Sequence, residues 1–185
     1  AGKVGKSLVN LIEATGGKAM GICGIDGRIV EAKKRSEALR YVGQITHVNT
    51  QPITDLLEKG YIPVVSSVGC DEEGNVYNIN ADTMAAQISG AMGAECLISM
   101  TDVPGIMLDP ADQASLVHVA DINDATDLFR QGVIKGGMIP KVESCIEALL
   151  CGVHKVFILD GRVPHSILLE MLTDEGSGTM MVGEK

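Results

Sequence analysis

Short apolar runs alternate with segments of helical periodicity along this chain, and this alternation constrains the fold more than any other feature. Residues 61–65, 96–100 and 155–159 show the pattern of strands that are buried on both faces of a parallel sheet. Turn residues indicate antiparallel hairpins near residues 24–49 and 66–80. The alternation therefore predicts an α/β fold, a three-layer α/β/α sandwich with a mainly parallel central sheet.

The helical segments are the second part of this pattern. Helical periodicity covers residues 3–14, 81–92, 123–130 and 138–150. Asn123 is expected to cap the third of these segments. The basic run Lys33-Lys34-Arg35 is interpreted as a solvated loop.

Composition limits the classes of protein to which this chain can belong. With 185 residues, 45% of them apolar, it can bury a sizeable core, and we predict one α/β domain over residues 1–185. The net charge of −9 and the aromatic content of 3% argue against a nucleic-acid partner, which requires a basic surface. An acidic chain can still bind an anionic ligand through backbone N–H groups and a few lysines.

Cysteine usage and hydropathy bear on the compartment. The five cysteines are scattered and no pair has C-x-x-C spacing, so we expect neither a zinc site nor a disulfide framework. Free thiols fit a reducing, cytoplasmic location, and the absence of a membrane-length apolar run argues against a membrane protein. The chain starts without Met and inside a helical segment, which we interpret as an N-terminal truncation.

The polar stretch Asn78-Ile79-Asn80-Ala81-Asp82 lies where strand periodicity changes to helical periodicity. Asn78 and Asn80 share one side of an extended segment, because side chains alternate along a strand. Asp82 falls in or near the first helical turn, where a carboxylate is favoured. The residues alone leave two interpretations open, a polar helix cap and a ligand site.

A polar loop that begins at Thr101 follows directly on the buried run 96–100. Ligands bind at the carboxyl ends of strands in open α/β sheets, where Asp102 could accept a hydrogen bond from a ribose or hold a lysine. The sequence Asp102-Val103-Pro104-Gly105 is equally good turn chemistry, so both readings stay open. Residues 109–112 are expected to form a second turn, a surface excursion.

A glycine pair, Gly136-Gly137, opens the long helix, with Lys135 before it and Lys141 in its first turns. Free N–H groups at a helix N-terminus bind phosphate, although the Walker spacing G-x-x-x-x-G-K-[ST] is absent. Lysines on both sides of the glycine pair favour an anion site in a chain this acidic.

Three motifs occur together and in order: Tyr77-Asn78-Ile79-Asn80-Ala81-Asp82, Thr101-Asp102-Val103-Pro104-Gly105-Ile106 and Gly136-Gly137-Met138-Ile139-Pro140-Lys141-Val142. They resemble the amino acid kinase family over essentially the whole chain, and the first motif is similar to the acetylglutamate kinase branch in particular. The resemblance implies an enzyme that transfers a phosphoryl group from ATP to the γ-carboxylate of N-acetyl-L-glutamate, in arginine biosynthesis.

The resemblance also implies roles for single residues. Asn78 and Asn80 would bind acetylglutamate, Asp82 would orient the catalytic lysines, and Lys141 would stabilise charge on the transferring phosphoryl group. Mg²⁺ would be bound with ATP, and no residue of the chain is expected to form a metal site of its own. The implied nucleotide-binding residues are Thr101, Asp102, Val103, Gly105, Ile106, Val133, Ile134, Lys135, Gly136 and Met138.

The C-terminal segment resembles arginine-sensitive members of the family, which implies feedback inhibition by arginine. The residues implied for this inhibitor are His165, Glu170, Glu175, Gly176 and Gly178. The carboxylates among them would pair with the guanidinium or α-amino group. The resemblance further implies a homodimer, or a hexamer if the protein is arginine-sensitive.

Family members carry a glycine-rich phosphate loop with its own lysine ahead of the point where this chain starts. The chain as given is therefore expected to be inactive alone. Two alternatives stay open: a family kinase for aspartate, glutamate, carbamate or a nucleotide, and a non-catalytic fragment that binds a nucleotide or arginine.

Overall fold

A computed structural model describes residues 1–173 and 176–183. By their internal contacts the residues form two compact units, an N-terminal unit (Ala1–Met84) and a C-terminal unit (Ala85–Lys185). Each unit has its own sheets and buried residues. The prediction of a single domain over residues 1–185 stays a prediction.

The N-terminal unit contains two sheets. Its helices and strands are α1 (Val4–Ala14), β1 (Ala19–Cys23), β2 (Val30–Lys34), β3 (Gly43–Val48), α2 (Gln51–Glu58), β4 (Ile62–Ser66), β5 (Val68–Cys70), β6 (Val76–Asn78) and the first turn of α3 (Ala81–Ala91). Strands β1 and β4 pair in parallel, and the second sheet has the order β3-β2-β5-β6. The pairs β2–β3 and β5–β6 are antiparallel, which confirms both predicted hairpins.

The second hairpin is closed by a cluster of hydrogen bonds around one carboxylate. Asp71 accepts from the backbone N–H of Asn75 at 2.7 Å, from the Asn75 amide at 2.8 Å and from the Tyr77 hydroxyl at 2.7 Å. Tyr77 and Ile79 are buried while Asn78 and Asn80 are exposed, so the expected alternation holds here. The hairpin therefore turns both amides to the same, outer side.

The interpretation of the basic run as a loop is wrong for Lys33 and Lys34, which form the end of β2. Val30 and Ala32 of this strand are buried, whereas the two lysines are exposed. The apolar first half anchors the strand in the sheet, so its charged end extends into solvent without leaving the ladder.

The C-terminal unit is built on one mixed sheet. Its helices and strands are the rest of α3, β7 (Cys96–Thr101), β8 (Val119–Asp121), α4 (Ile122–Arg130), α5 (Met138–Leu150), β9 (Lys155–Asp160), α6 (Ser166–Leu172) and β10 (Thr179–Val182). The strand order is β7-β9-β10-β8. The pairs β7–β9 and β8–β10 are parallel, and β10 runs antiparallel to β9. The predicted α/β fold class is confirmed.

Helix α5 supplies much of the core of this unit, and it spans the predicted residues. Its buried positions recur at helical spacing because one face packs on the sheet. The cluster includes Val142, Cys145, Ala148 and Leu149 of the helix with Val156, Ile158 and Met181 of the sheet.

Helix α4 is capped by Asp121 and not, as expected, by Asn123. The Asp121 carboxylate accepts the N–H of Asp124 at 2.8 Å, and the Asp124 carboxylate accepts the N–H of Asp121 at 3.0 Å. This reciprocal capping box starts the helix at Ile122. The expectation was wrong because β8 leads directly into α4 at Asp121. Asn123 is therefore the second residue of the helix and cannot lie before it as a cap.

Candidate functional site

A cavity of 530 Å³ opens in the C-terminal unit, a size that suits a small-molecule ligand. It is lined by the segment after β7, by the loop that continues from it, and by the start of α5. The lining residues are Asp102, Val103, Pro104, Gly105, Ile106, Met107, Pro110, Gln113, Val133, Ile134, Lys135, Gly137, Met138 and Lys141. Most of these side chains are apolar, with one carboxylate, one amide and two lysines among them.

The cavity brings together most of the residues for which a nucleotide role was implied. Of the ten, eight line it: Asp102, Val103, Gly105, Ile106, Val133, Ile134, Lys135 and Met138. The other two, Thr101 and Gly136, are the direct neighbours of lining residues. Lys141, implied as a catalytic residue, also lines the cavity. The two separate sequence segments thus converge on one place.

One wall of the cavity begins at the carboxyl end of two parallel strands. Thr101 of β7 lies opposite Asp160 of β9, and the N–H of Gly161 donates to the Thr101 carbonyl at 2.7 Å. The Thr101 hydroxyl donates to the Asp102 carboxylate at 3.3 Å. Asp102 is therefore held at the sheet edge where α/β proteins bind ligands.

Asp160 and Arg162 form an ion pair at this edge that the sequence analysis missed. The Arg162 guanidinium donates to both carboxylate oxygens, from Nε at 2.9 Å and from Nη2 at 2.8 Å, and its backbone N–H donates at 2.9 Å. These hydrogen bonds from the Arg162 side chain and backbone lower the pKa of Asp160 to about 2. The available signal was an Asp-Gly-Arg sequence at the end of a buried strand.

Position 105 requires glycine for two reasons, its backbone conformation and its close neighbours. Its φ is +155°, and a Cβ atom there would lie 2.4 Å from the Thr179 hydroxyl oxygen. The same hydroxyl oxygen accepts the N–H of Ile106 at 2.9 Å. The glycine of the Thr101–Gly105 turn thus allows the backbone that lines the cavity to approach β10 closely.

The start of α5 forms another part of the lining. Gly136 has a φ of +57°, a left-handed conformation that favours glycine, directly before the N-cap residue of the helix, Gly137. Ile134 is buried and Lys135 is exposed. The first turn of the helix presents backbone N–H groups toward this end, and the helix dipole favours an anion there.

The predicted surface turn at residues 109–112 is confirmed, since the N–H of Asp112 donates to the Asp109 carbonyl at 3.0 Å and these residues are exposed. The loop around this turn also forms part of the cavity wall. The Ser115 hydroxyl oxygen accepts the N–H of Asp109 at 3.0 Å and lies 2.8 Å from the Asp109 carbonyl oxygen and 2.6 Å from that of Asp112. This closes the loop on itself, with Met107, Pro110 and Gln113 in the lining. Aspartate, proline and serine at turn positions were the only sequence signal.

In the N-terminal unit, Asn80 is a helix cap. Its side-chain oxygen accepts the N–H of Thr83 at 3.0 Å, so the cap interpretation is correct for this residue. Asn78 is exposed at the end of β6, and its backbone N–H donates to the Tyr41 carbonyl at 2.7 Å. Asp82 lies in the first turn of α3, as expected. The Asn78 side chain is thus the better candidate for a ligand contact.

The segment proposed for arginine is held by an internal carboxylate. Oε2 of Glu170 accepts the N–H of Ser177 at 2.5 Å and that of Gly178 at 3.1 Å. His165 precedes α6 in a left-handed conformation, with φ +63°, and is exposed. Gly176 and Gly178 belong to the turn that Glu170 holds, and Glu175 lies outside the described residues.

Thiols, metal-ligand groups and helix lengths were also predicted from the sequence. All five cysteines are free thiols. Within residues 1–173 and 176–183, no three His, Cys, Asp or Glu side chains are grouped so that they could hold a metal ion. In the same part of the chain, every helix is too short or too polar to cross a membrane.

The fold and the converging segments define the class of this protein. Residues 1–160 match the sequence pattern of the amino acid kinase family, and the chain belongs to this family. It is 52% identical over 182 residues to the acetylglutamate kinase of Brachyspira hyodysenteriae, covering 97% of this chain and 63% of that one. It is 54% identical over 183 residues to the acetylglutamate kinase of Clostridium beijerinckii, covering 97% and 64%.

The structure has a counterpart among solved structures. The protein smu.665 from Streptococcus mutans UA159 superimposes with a TM-score of 0.78 at 30% identity, covering 97% of this chain and 66% of that one. The chain thus spans less than two thirds of the length of the acetylglutamate kinases that it matches.

Proposed function

We propose that this chain is part of an acetylglutamate kinase, an enzyme that phosphorylates the γ-carboxylate of N-acetyl-L-glutamate with ATP in arginine biosynthesis. The observation that carries the proposal is the 52% identity to an acetylglutamate kinase over 97% of the chain. The first motif, with Asn78 and Asp82, lies within this matched length.

The cavity of the C-terminal unit would bind ATP. Its apolar lining, with Met107 and Met138, suits the flat and weakly polar base, while Asp102 can accept a hydrogen bond from a ribose hydroxyl. The start of α5, with Lys135 and Lys141, suits the phosphates because its backbone N–H groups and the positive lysine charges both attract an anion. The two lysines would make the potential at the cavity locally positive, although the chain as a whole is acidic.

The chemistry would rest on positioning and charge. N-acetyl-L-glutamate needs no general base, because its γ-carboxylate is already ionised at neutral pH. Asn78 would hold this substrate and Asp82 would orient the catalytic lysines. Lys141 would stabilise the negative charge that spreads over the transferring phosphoryl group, and the product would be an acyl phosphate with ADP.

Mg²⁺ would bind together with ATP. The described residues contain no group of three His, Cys, Asp or Glu side chains that could hold a metal, so phosphate oxygens of ATP and water molecules would supply most of its ligands. When bound, the ion neutralises phosphate charge. Among the described residues, Asp102 supplies the one carboxylate of the cavity lining, and it would contact the hydrated ion.

Regulation and assembly are further parts of the proposal. Arginine would inhibit the enzyme at the segment with His165, Glu170, Glu175, Gly176 and Gly178. Oε2 of Glu170 accepts from the backbone of Ser177 and Gly178, so arginine would contact Oε1 of this carboxylate. A homodimer or hexamer in the cytoplasm would fit an arginine-biosynthetic enzyme with free thiols.

Asn78→Ala tests the acceptor substrate in the full-length protein that contains this chain. We expect the KM for N-acetyl-L-glutamate to rise about tenfold, because a substrate polar group loses its partner, while the KM for ATP changes by less than about twofold. Steady-state kinetics with both substrates varied gives the two values.

Asn10→Ala is the matched control, since Asn10 is exposed on α1 and belongs to none of the motifs. It should change neither constant. An unchanged KM for N-acetyl-L-glutamate in Asn78→Ala, or equal turnover of aspartate by the unmodified protein, would favour a family kinase with another acceptor.

A further inference from the structure

Thr179 is a fully buried polar residue that does not line the cavity but supports its wall. It is the first residue of β10, with a relative exposure of 0%. Its hydroxyl oxygen accepts the N–H of Ile106 at 2.9 Å, a contact between residues 73 positions apart. Ile106 is itself 1% exposed, so this N–H has no access to water if the hydroxyl is removed.

Gly105, the residue before Ile106, also lies close to Thr179. A Cβ atom at Gly105 would lie 2.4 Å from the Thr179 hydroxyl oxygen and 3.1 Å from the Thr179 backbone nitrogen. The position of the Gly105–Ile106 backbone, which lines the cavity, is therefore fixed against Thr179 by one hydrogen bond and by direct packing.

Thr179 is in turn held by the turn that precedes it. Oε2 of Glu170 accepts the N–H groups of Ser177 and Gly178, and the Ser177 hydroxyl donates to the Ser166 carbonyl at 3.2 Å. Beyond the turn, Thr179 pairs with Ile158 in the β9–β10 ladder. The Glu170 carboxylate thus fixes the two residues directly before Thr179.

We propose that Thr179 is a positioning residue for the nucleotide and that the Glu170 carboxylate, through the turn at residues 176–178, sets the position of Thr179. Neither side chain lines the cavity, yet the affinity of the cavity depends on both. The inference rests on the proposed function, in that the cavity binds ATP. It assigns to Glu170 a role that is independent of any inhibitor.

Two pairs of variants separate the hydrogen bond from general packing. Thr179→Val keeps the shape and removes the acceptor, whereas Thr179→Ser keeps the acceptor and removes a methyl group. Glu170→Ala removes the acceptor for the turn, whereas Glu170→Gln keeps a side-chain oxygen that can accept. Glu95→Ala is the control, because Glu95 is exposed and precedes the amino end of β7, away from the carboxyl end that meets the cavity.

Calorimetric titration of the 185-residue chain with Mg·ATP gives the test. We expect the Kd to rise about tenfold in Thr179→Val and about threefold in Glu170→Ala, because a displaced wall loses contacts with the ligand. Thr179→Ser, Glu170→Gln and Glu95→Ala should stay within about twofold of the unmodified chain.

Thermal unfolding of each variant is measured in parallel, so that binding is compared only between folded chains. Should Thr179→Val fail to fold, the Glu170→Ala and Glu170→Gln pair decides. Equal ATP affinity in the folded acceptor-free variants and the unmodified chain overturns this inference alone. If the unmodified chain does not bind Mg·ATP, the nucleotide assignment of the cavity fails, and the inference fails with it.

Discussion

Asp160 has a lowered pKa in the folded protein, because Arg162, two residues along the chain, donates hydrogen bonds to both of its carboxylate oxygens. The side chain of Asp160 is 9% exposed, and the bidentate geometry of Arg162 is the strong form of an Arg–carboxylate contact. The pair lies at the end of β9, beside Thr101 and the cavity segment. Its carboxylate is less exposed than those of the Arg28–Glu31, Lys34–Glu37 and Arg130–Asp127 pairs, so it should contribute more to stability than these three.

The lowered pKa of Asp160 predicts a pH dependence with a defined sign. Because the folded-state pKa is about 2 and the ordinary value is 3.8, the pair stabilises the fold above about pH 4. This stabilisation is lost as the pH falls from about 4 toward 2. Asp160→Asn should lower the Tm at pH 7 and flatten the fall of Tm over that acid range.

Asp127→Asn is the matched control for this measurement. Asp127 pairs with Arg130 at 3.0 Å, but both side chains are mostly exposed, so little stabilisation is expected. Thermal unfolding by circular dichroism between pH 2 and pH 7 gives the comparison. Superimposable curves of Tm against pH for Asp160→Asn and the unmodified chain would refute the role of the pair.

At the scale of elements, the start of α5 combines a conformational requirement with a candidate phosphate site. Gly136 has a φ of +57° and Gly137 a φ of −67°, and a Cβ atom would meet no other atom within 4 Å at either position. The two neighbouring glycines thus differ in backbone conformation and share open surroundings. They allow the backbone effect to be measured without a packing effect.

Gly136→Ala should destabilise the chain by about 1 kcal/mol, because a Cβ atom is disfavoured in the left-handed region. Gly137→Ala should be neutral or stabilising by about 0.5 kcal/mol, since its helical φ suits alanine and the unfolded chain loses freedom. Chemical denaturation of both variants checks the difference. A loss of stability in Gly137→Ala as large as that in Gly136→Ala would contradict the conformational explanation.

The sequence predicted elements well where a local pattern decides them. Helix α5 follows from its periodicity and the glycine pair, and the second hairpin follows from its turn residues. Strand β8 has three residues, too few to show alternation, and β2 was obscured by its charged end. The Asp121 cap depends on where that short strand ends, so it could not be located before the strand was known.

The site residues also divide into those that a local sequence pattern indicates and those that only long-range contacts place. Asp102, Lys135 and Lys141 stand in turn and helix-start motifs that can be recognised locally, and all three line one cavity. Gln113 enters the lining only because Ser115 closes its loop by hydrogen bonds. Thr179 supports Ile106 across 73 residues, and no local pattern indicates such a contact. Long-range contacts are what a single sequence does not reveal.

For the whole molecule, the C-terminal unit contains the complete lining of the cavity, whereas the proposed acetylglutamate contact, Asn78, belongs to the N-terminal unit. The chain also covers only 63% of the acetylglutamate kinase of Brachyspira hyodysenteriae. We therefore expect the two contributions to separate: Mg·ATP binding should depend on the cavity lining of the C-terminal unit and should be unchanged by Asn78→Ala.

The most direct test of this account is a calorimetric titration of the 185-residue chain with Mg·ATP, compared between Lys141→Met and Lys155→Met. Lys141 lines the cavity, while Lys155 is exposed at the amino end of β9. We predict one site per chain, about tenfold weaker binding in Lys141→Met and unchanged binding in Lys155→Met. Absence of binding, or equal affinity in Lys141→Met and the unmodified chain, would contradict the assignment of the cavity to ATP.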